Sequence, residues 1–253
     1  MIKHAIIQAG GEGTRLRPVT YEIPKPLIPV QGVPVATWLI RLFIKHGVER
    51  VTVIHNPKWK SAFENWAEDA KSEMRNANGG LHIFEEKEPM GTMGAIVHEL
   101  ELGADPVFVS NGDELKNLDL HGFTQFHQNC RIANPKHEAT IALVSVSNPS
   151  EYGVAEMNQH LISRFHEKPA NPPTNLISSG LYIIEPSIFS ELFPKDAGPR
   201  TPDLGRFLMF EKDLFPRLAG EGRLGGCPLQ GQWYDCGTME RWERAINEWD
   251  WGT

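Results

Sequence analysis

The sequence predicts an α/β protein built on a Rossmann-like, mixed and mainly parallel sheet flanked by helices, with a smaller lobe. Residues 5–7 form a short apolar run that ends at glycines, which is typical of a buried parallel strand. Residues 36–46 carry apolar side chains at helical spacing and stop at Gly47, and the strand-like run 51–54 follows. The chain therefore opens with a strand, a loop, a helix and a second strand.

Helices and strands continue to alternate through the first half. The further elements expected there are a helix over 56–75, a strand over 81–84, a helix over 94–102 and a strand over 107–109. The second half differs, because strands at 140–146 and 181–184 are separated by proline-rich loops such as 168–173. In open α/β sheets ligands bind beyond the carboxyl ends of the strands, where the glycines after the first strand lie.

The composition is that of an ordinary globular protein. With 253 residues, 40% of them hydrophobic and 23% charged, we expect a single domain over 1–253. The formal net charge of -7 argues against a broad surface for nucleic acid or anionic membrane. The apolar run at the start is too short for a signal segment or a membrane span. Any phosphate ligand must therefore meet a local basic cluster.

The cysteines and histidines show no metal-binding or disulfide pattern. Cys130, Cys227 and Cys236 contain no CxxC pair, and the ten histidines contain no HExxH motif. These features predict a protein of the reducing cytoplasm without a zinc site.

A glycine-rich segment with two arginines follows the first strand, and residues 10–18 read GGEGTRLRP. Glycine amides can approach a phosphate closely, and the guanidinium groups of Arg15 and Arg17 can each fork onto phosphate oxygens. The patterns GxxxxGK[ST] and GxGxxG are absent, so neither a P-loop motor nor a dehydrogenase is indicated. The alternative interpretation is a plain glycine turn before a helix.

Lys25 stands between Pro24 and Pro26 in the run IPKPL. The two prolines fix the backbone and keep the lysine out of a helix, so its side chain is presented rigidly. The alternative is an exposed surface lysine in a loop.

Taken together, these two segments resemble the signature of the nucleotidyltransferases that activate sugar 1-phosphates. The likeness extends from residue 5 to about residue 245 and implies the nucleotide-diphospho-sugar transferase fold. It implies that the loop and Arg15 hold a triphosphate and that Lys25 bridges the nucleotide and the sugar phosphate. The nucleotide-binding residues that it implies around the loop are Ala9, Gly10, Gly11, Gly13 and Thr14.

The resemblance also implies a division of labour along the chain. Residues 1–130 would be mainly the nucleotide-binding half, and residues 131–253 mainly the sugar-binding half and sugar-side lobe. Many members of the family continue into a left-handed β-helix. Because this sequence ends at Thr253, we expect no such β-helix and no second catalytic activity.

The segment EPMGTMGA at residues 88–95 resembles the family's loop against which the base packs, and it implies nucleotide contacts from Gly91 and Thr92. Glu86 stands where the family often carries a residue that reads the base. A carboxylate there can accept from N1–H and the N2 amine of guanine. The alternative is one solvated charge in the charged run 85–88. These features favour GTP, although UTP- and dTTP-specific members share most of them.

Two aspartates stand in the motifs SNGD, residues 110–113, and WYDCGT, residues 233–238, and both motifs resemble segments of the family. Magnesium prefers oxygen ligands and is usually held by one or two carboxylates together with substrate phosphates. The resemblance therefore implies that Asp113 and Asp235 bind Mg²⁺, with Asp113 also catalytic. As isolated residues, both would be turn aspartates.

The segment FHEKP, residues 165–169, resembles the family's sugar-binding motif, in which the glutamate receives sugar hydroxyls and the lysine contacts the phosphate. The motifs YGV, residues 152–154, and NLISSGLY, residues 175–182, also match. One departure is Ser178, which stands where many members place an asparagine that touches the sugar. The sugar-phosphate-binding residues implied are Asn111, Gly153, Glu167, Lys168, Ser178 and Ser179.

The implied reaction joins a nucleoside triphosphate to a sugar 1-phosphate and releases pyrophosphate. The implied partners are these two substrates, with no nucleic acid and no membrane; a homo-oligomer is left open. Two alternatives remain open: a cytidylyltransferase for a non-sugar phosphate and a non-catalytic regulatory subunit that senses a nucleotide sugar. The glutamate and lysine of FHEKP favour a sugar, and Arg15, Lys25, Asp113 and Asp235 together favour an enzyme.

Overall fold

The computed structural model describes residues 1–75, 77–98, 100–192 and 207–252. The chain forms two compact units, each built from several segments. The first unit comprises Met1–Glu88, Val109–His121 and Gln230–Thr253, and the second comprises Pro89–Phe108 and Gly122–Leu229. Each unit contains both strands and helices.

Strands and helices alternate along much of the described chain. The strands are β1 (His4–Ala9), β2 (Pro29–Val30), β3 (Val33–Pro34), β4 (Arg50–His55), β5 (Gly80–Glu85), β6 (Val107–Asn111), β7 (Glu114–Leu118), β8 (Ala139–Ser145), β9 (Gly153–Asn158), β10 (Leu161–Glu167), β11 (Leu176–Ile184), β12 (Leu224–Pro228) and β13 (Gly231–Asp235). The α-helices are α1 (Val35–Lys45), α2 (Lys60–Ala70), α3 (Gly91–His98), α4 (Leu120–Ala133), α5 (Ser187–Leu192), α6 (Phe215–Gly220) and α7 (Met239–Glu248). Shorter helical turns include Thr14–Leu16, Lys25–Leu27, Pro57–Trp59, Lys71–Met74 and the π-helical turn Phe210–Leu214.

The first unit contains three parallel strands in the order β5–β4–β1. The side chains of β1 and β4 are mostly buried on both faces, which explains the continuous apolar runs in the sequence. The backbone N–H of Gly112 donates to the carbonyl of Gln8 at 2.9 Å, so the turn after β6 lies beside the end of β1. The glycine-rich loop and the turn that carries Asp113 therefore leave the same edge of these strands.

An apolar cluster in the first unit supports several of the predicted site segments. Its buried members are Leu16, Ile28, Val30, Val35, Trp38, Leu115, Cys236, Ala245 and Trp249. Leu16 follows the loop glycines, Ile28 follows the turn of Lys25, and Cys236 follows Asp235. Because these segments share one core, a cavity beneath one of them would loosen the others as well.

The second unit contains a mixed sheet in the order β11–β8–β12–β10–β9. Strand β12 runs parallel to β8, whereas the pairs β8–β11, β10–β12 and β9–β10 are antiparallel. A buried polar link joins α4 to this sheet, because His127 Nδ1 lies 2.7 Å from Thr140 Oγ1 and its Nε2 lies 3.0 Å from Glu185 Oε1. The helix is thus fixed by hydrogen bonds as well as by apolar packing.

The α/β fold class is confirmed, and two predicted helices are corrected. The helix expected over 56–75 is divided, because Pro57 and the Asn56 side chain, which accepts from the Lys58 N–H at 2.9 Å, start a 3₁₀ turn before α2. The helix expected over 94–102 was placed too late, since α3 is Gly91–His98. The N–H of Met93 donates to the carbonyl of Leu208 at 2.8 Å, a non-local partner that local sequence patterns do not reveal.

The strands were located more accurately than the helices. The strands expected at 5–7, 51–54, 81–84, 107–109 and 140–146 correspond to β1, β4, β5, β6 and β8. Strand β11 begins at Leu176, five residues before the predicted start at 181. The prediction began too late because Ser178 and Ser179 interrupt the apolar pattern, although both are buried. No helix in the described part of the chain is long and apolar enough to cross a membrane.

Candidate active site

Lys25 lies in the first unit with its ammonium group between two carboxylates. Its Nζ forms an ion pair with Asp113 Oδ2 and lies 3.9 Å from Asp235 Oδ1. The lysine begins a 3₁₀ turn, and the Pro24 backbone before it is extended at φ -61° and ψ 138°. Because only 9% of the Lys25 side chain is exposed, the interpretation as a surface lysine is not supported.

The charges of this cluster stabilise one another. Burial disfavours the ammonium, but Asp113 and Asp235 outweigh it and raise the pKa of Lys25 above its usual value. Burial likewise disfavours the Asp113 carboxylate, yet Lys25 holds the pKa of Asp113 below its usual range. The site therefore contains a charged lysine and a charged aspartate at neutral pH.

Pairing between β7 and β13 brings the two aspartates together. In this antiparallel pair Asp235 lies opposite Glu114, directly after Asp113 in the chain. The N–H of Cys236 donates to the carbonyl of Asp113 at 3.2 Å. Arg241 Nη1 donates to Asp235 Oδ2 at 2.7 Å and so helps to orient that carboxylate. Both carboxylates thus sit on fixed backbone rather than on independent loops.

A buried ion pair that sequence reasoning missed lies behind these aspartates. Glu114 accepts from Trp233 Nε1 at 2.9 Å and from Asn111 Nδ2 at 3.1 Å, and Lys116 Nζ lies 3.0 Å from its carboxylate. Burial raises the pKa of Glu114 to about 7, although Lys116 opposes the shift. The only sequence signal was a charged run directly after a buried strand, in GDELK. Glu114 orients the amide of Asn111, which was predicted to bind the sugar phosphate.

The glycine-rich loop lies against the same cluster. Gly13 adopts a left-handed conformation with φ 63°, and a methyl group added there would lie 3.2 Å from the Cβ of Lys25. Arg15 is exposed, and its Nη2 lies 3.2 Å from the position of a methyl group added at Gly237. The segment contains the 3₁₀ turn Thr14–Leu16. Arg15 is therefore near the WYDCGT segment that carries Asp235.

Glu86 is a buried residue beside the glycine-rich loop. It is 7% exposed, and its Oε2 lies 3.0 Å from the position of a methyl group added at Gly10. The alternative of a solvated surface charge is therefore not supported. Its N–H donates to the carbonyl of His55 at 2.9 Å, which fixes the backbone at the end of β5.

The donors of the first unit fit a magnesium ion. Oδ2 of Asp113 and Oδ1 of Asp235 both face the Lys25 ammonium, so the two carboxylates already converge on a cation. Among the residues that the structure describes, no group of three or more His, Cys, Asp or Glu side chains is arranged to hold a metal. Two carboxylates completed by substrate phosphates are a common way for proteins to hold Mg²⁺.

The Gly91–Thr92 segment belongs to the second unit and is fixed by residues far along the chain. The Leu208 N–H donates to the carbonyl of Met90 at 2.8 Å. Gly91 has φ 77°, and a methyl group there would collide with the carbonyl of Leu208. The Thr92 hydroxyl donates to Glu211 Oε2 at 2.8 Å and accepts from the N–H of Phe210 at 3.0 Å. Thr92 is therefore tied to a carboxylate that the sequence analysis did not assign.

The predicted sugar-binding residues of the second unit lie at the end of β10 and on β9 and β11. Lys168 has an unusual positive φ of 49°, and its Nζ lies 3.2 Å from Glu167 Oε1. Gly153 lies against the Phe165 ring, which a methyl group would strike. The Ser178 hydroxyl accepts from the N–H of Gly180 at 3.2 Å. Lys168, Gly153 and Ser178 thus each have a neighbour within the second unit.

Ser179 differs from its neighbour on β11. Its hydroxyl donates to the carbonyl of Ala142 on β8 at 2.8 Å, and the residue is fully buried. This hydrogen bond links β11 to β8.

The predicted residues form two groups, one in each unit. The first unit contains Ala9, Gly10, Gly11, Gly13, Thr14, Arg15, Lys25, Glu86, Asn111, Asp113 and Asp235. The second unit contains Gly91, Thr92, Gly153, Glu167, Lys168, Ser178 and Ser179.

Comparison with known proteins places the chain in a family. The family model for nucleotidyl transferases matches residues 4–249, which is nearly the whole sequence. The chain belongs to the nucleotidyl transferase family. This result confirms the resemblance seen in the GGEGTRLRP and IPKPL segments.

Two relatives of known name are similar to this chain over most of its length. The chain is 33% identical over 242 residues to the catalytic subunit beta of mannose-1-phosphate guanylyltransferase from Xenopus tropicalis, covering 92% of this chain and 61% of the relative. It is 32% identical over 248 residues to the mannose-1-phosphate guanylyltransferase of Mycobacterium tuberculosis, covering 95% and 63%. The chain thus spans about three fifths of the length of these relatives.

A solved structure confirms the implied nucleotide-diphospho-sugar transferase fold. It is that of a UDP-glucose pyrophosphorylase in complex with UDP-glucose, with a TM-score of 0.76 and 26% identity. The match covers 98% of each chain.

Proposed function

We propose that this chain transfers a nucleotidyl group from a nucleoside triphosphate to a sugar 1-phosphate, with GTP and mannose 1-phosphate as the favoured pair. The observation that carries this proposal is the convergence of Asp113 and Asp235 on the buried ammonium of Lys25. Such an arrangement suits a reaction between two anions, which need neutralisation and alignment. The relatives named mannose-1-phosphate guanylyltransferases support the same reaction class and the pair of substrates.

In the proposed reaction a phosphate oxygen of the sugar 1-phosphate attacks the α-phosphorus of the triphosphate. The new bond joins that oxygen to the α-phosphorus, while the bond to the bridging oxygen breaks and pyrophosphate leaves with the electron pair. A phosphate monoester is already anionic near neutral pH, so no serine, cysteine or histidine nucleophile is required. Lys25 neutralises the attacking and central phosphates, and Arg15 binds the leaving pyrophosphate.

Magnesium belongs to this proposal as the expected cofactor, with Asp113 and Asp235 as its protein ligands. When bound, the ion offsets negative charge on the phosphates of the nucleotide. Lys25 Nζ holds the two carboxylates in place, and Arg241 donates a hydrogen bond to Oδ2 of Asp235. A cytoplasmic location agrees with three cysteines that are all buried and outside any disulfide.

Glu86 supports guanine as the base. Its carboxylate is buried beside Gly10, in the loop proposed to hold the triphosphate. Guanine offers two adjacent donors, N1–H and the N2 amine, to such a carboxylate. Uracil and thymine offer one N–H, so a buried carboxylate favours them less.

Residues 1–130 are proposed to bind mainly the nucleotide, and residues 131–253 mainly the sugar. Asp235 is an exception, because it is assigned to the metal. In the second unit, Glu167 and Lys168 are assigned to the sugar and its phosphate.

Pyrophosphate release tests this function directly. The purified protein is assayed with Mg²⁺ across ATP, CTP, GTP, UTP and dTTP, each against mannose, glucose, heptose and amino-sugar 1-phosphates and phosphocholine. We expect the highest turnover with GTP and mannose 1-phosphate and background rates without an acceptor. Turnover confined to CTP and phosphocholine would contradict the sugar assignment. Background rates in every mixture, from protein shown to be folded, would favour a regulatory subunit.

A further inference from the structure

Glu211 lies in the second unit, in the π-helical turn Phe210–Leu214, and its carboxylate faces two neighbouring hydroxyl groups. Its Oε2 accepts from Thr92 Oγ1 at 2.8 Å, and its Oε1 lies 3.5 Å from the hydroxyl of Tyr182. The same tyrosine hydroxyl lies 3.4 Å from Ser178 Oγ. Ser178, Tyr182 and Glu211 thus form a row of polar groups.

The spacing along this row is wide for hydrogen bonds. Hydroxyl donors usually lie about 2.5–3.0 Å from their acceptors, so contacts of 3.4 and 3.5 Å are weak. An ionised carboxylate offers about four acceptor positions on its two oxygens. The Thr92 hydroxyl and the backbone N–H of Glu211 itself occupy part of this capacity. Oε1 of Glu211 therefore retains the capacity to accept a hydrogen bond from a further donor.

Burial and neighbouring charges both act on the Glu211 carboxylate. Burial raises the pKa of Glu211 above its usual value, and Glu167 adds to this effect, whereas the Thr92 hydrogen bond and Lys168 oppose it. Glu167 and Lys168, the two residues assigned to the sugar and its phosphate, are therefore within electrostatic range. A donor that reaches Glu211 would relieve the cost of burying this charge.

We propose that Glu211 accepts a hydrogen bond from a ring hydroxyl of the sugar 1-phosphate and that Thr92 holds its carboxylate in position for that contact. This inference rests on the proposed function and names a further residue of its acceptor site. Glu211 touches the substrate, whereas Thr92 acts through Glu211 and is a positioning residue.

The backbone around Thr92 supports this positioning role. The threonine hydroxyl uses both of its functions, because it donates to Glu211 and accepts from the N–H of Phe210. Leu208 pairs with Met90 and Met93 through two backbone hydrogen bonds of 2.8 Å. These hydrogen bonds therefore tie the Glu211 turn to the Thr92 segment.

The test compares steady-state kinetics of the wild type with Glu211→Gln, Thr92→Val and Thr92→Ser. We expect Glu211→Gln to raise KM for the sugar 1-phosphate by about 10- to 100-fold, since a hydrogen bond to a charged group is lost. KM for the nucleotide should stay within about twofold. Thr92→Val should give a smaller increase, and Thr92→Ser, which keeps the hydroxyl, should restore the wild-type value. Glu243→Gln, an exposed glutamate on α7, serves as the matched control.

Monodeoxy sugar 1-phosphates identify the contact. One analogue lacks the hydroxyl bound by Glu211. The wild type should show an increase in KM for this analogue about as large as the increase that Glu211→Gln shows for the parent sugar. Glu211→Gln should no longer distinguish that analogue from the parent. The inference would be overturned if Glu211→Gln had an unchanged KM for the sugar 1-phosphate or equal increases in KM for the sugar 1-phosphate and the nucleotide. It would also be overturned if every monodeoxy analogue raised KM in Glu211→Gln as much as it does in the wild type.

Binding measurements separate this inference from the proposed function. If the wild type shows no turnover with any pair, titration calorimetry with mannose 1-phosphate decides the matter. Binding by the wild type that weakens at least about tenfold in Glu211→Gln would support the contact without the reaction. Absence of binding to the wild type, or equal binding by the two proteins, would overturn it.

Discussion

Replacement of Lys25 by methionine should lower kcat/KM for nucleotidyl transfer by about 10³-fold, the scale of losing a preorganised cation or hydrogen-bond donor at a developing charge. The Lys25 ammonium lies between the carboxylates of Asp113 and Asp235 and is 9% exposed, so water cannot readily take over its role. Methionine keeps much of the length and apolar stem of the side chain. The effect should therefore appear in the rate, and thermal unfolding should show a folded variant.

Arginine at the same position separates charge from geometry. Lys25→Arg keeps the charge but replaces a compact ammonium by a planar guanidinium, and we expect at least about a tenfold loss. Lys212→Met, at an exposed lysine, should match the wild type. A Lys25→Met variant with rates within about threefold of the wild type would remove the lysine from the chemistry.

Asp113→Asn should lower kcat by about 10²- to 10³-fold while the protein remains folded. The aspartate forms an ion pair with Lys25, and its carboxylate is one of the two proposed for Mg²⁺. An amide has the same shape but no charge, so both interactions weaken together. The measurement is the initial rate as a function of Mg²⁺ concentration, and half-maximal rate should require more Mg²⁺ in the variant than in the wild type.

The matched control for Asp113→Asn is Asp105→Asn, which changes an exposed aspartate in the second unit. It should leave both the rate and the Mg²⁺ requirement unchanged. Equal Mg²⁺ curves for Asp113→Asn and the wild type would exclude Asp113 as a metal ligand. A variant that fails to fold would be replaced by Asp113→Glu, for which we expect a shifted Mg²⁺ curve and a retained ion pair with Lys25.

Local sequence signals predicted the strands and the loops that follow them. The apolar run at 5–7 and the glycines after it gave β1 and its loop, because burial on both faces leaves a continuous apolar pattern. The helix over 56–75 was less accurate, since Asn56 and Pro57 start a 3₁₀ turn whose side-chain cap competes with a continuous α-helix. Such competition depends on single hydrogen bonds that apolar periodicity does not register.

The order of motifs in the family likeness singled out Lys25, Asp113 and Asp235, which lie together in the structure. Spacing alone could not show that Asp113 and Asp235 meet, since they are brought together by the pairing of β7 with β13. Glu114 and Lys116 were missed because a buried ion pair has the same sequence pattern as a solvated one. Glu211 was missed because its partner Thr92 is 119 residues away in the chain. Non-local pairing therefore sets the limit of what this sequence reveals.

Isotope tracing of the sugar-phosphate oxygens follows the proposed bond formation to the α-phosphorus. A sugar 1-phosphate labelled with ¹⁸O at its non-bridging phosphate oxygens is incubated with the preferred nucleoside triphosphate, Mg²⁺ and the wild type, and the products are analysed by mass spectrometry. We expect a nucleotide sugar that retains all of the label, together with unlabelled pyrophosphate. Lys25→Met should fail to form this labelled product. Label in the pyrophosphate, or cleavage of the triphosphate without a labelled nucleotide sugar, would contradict it.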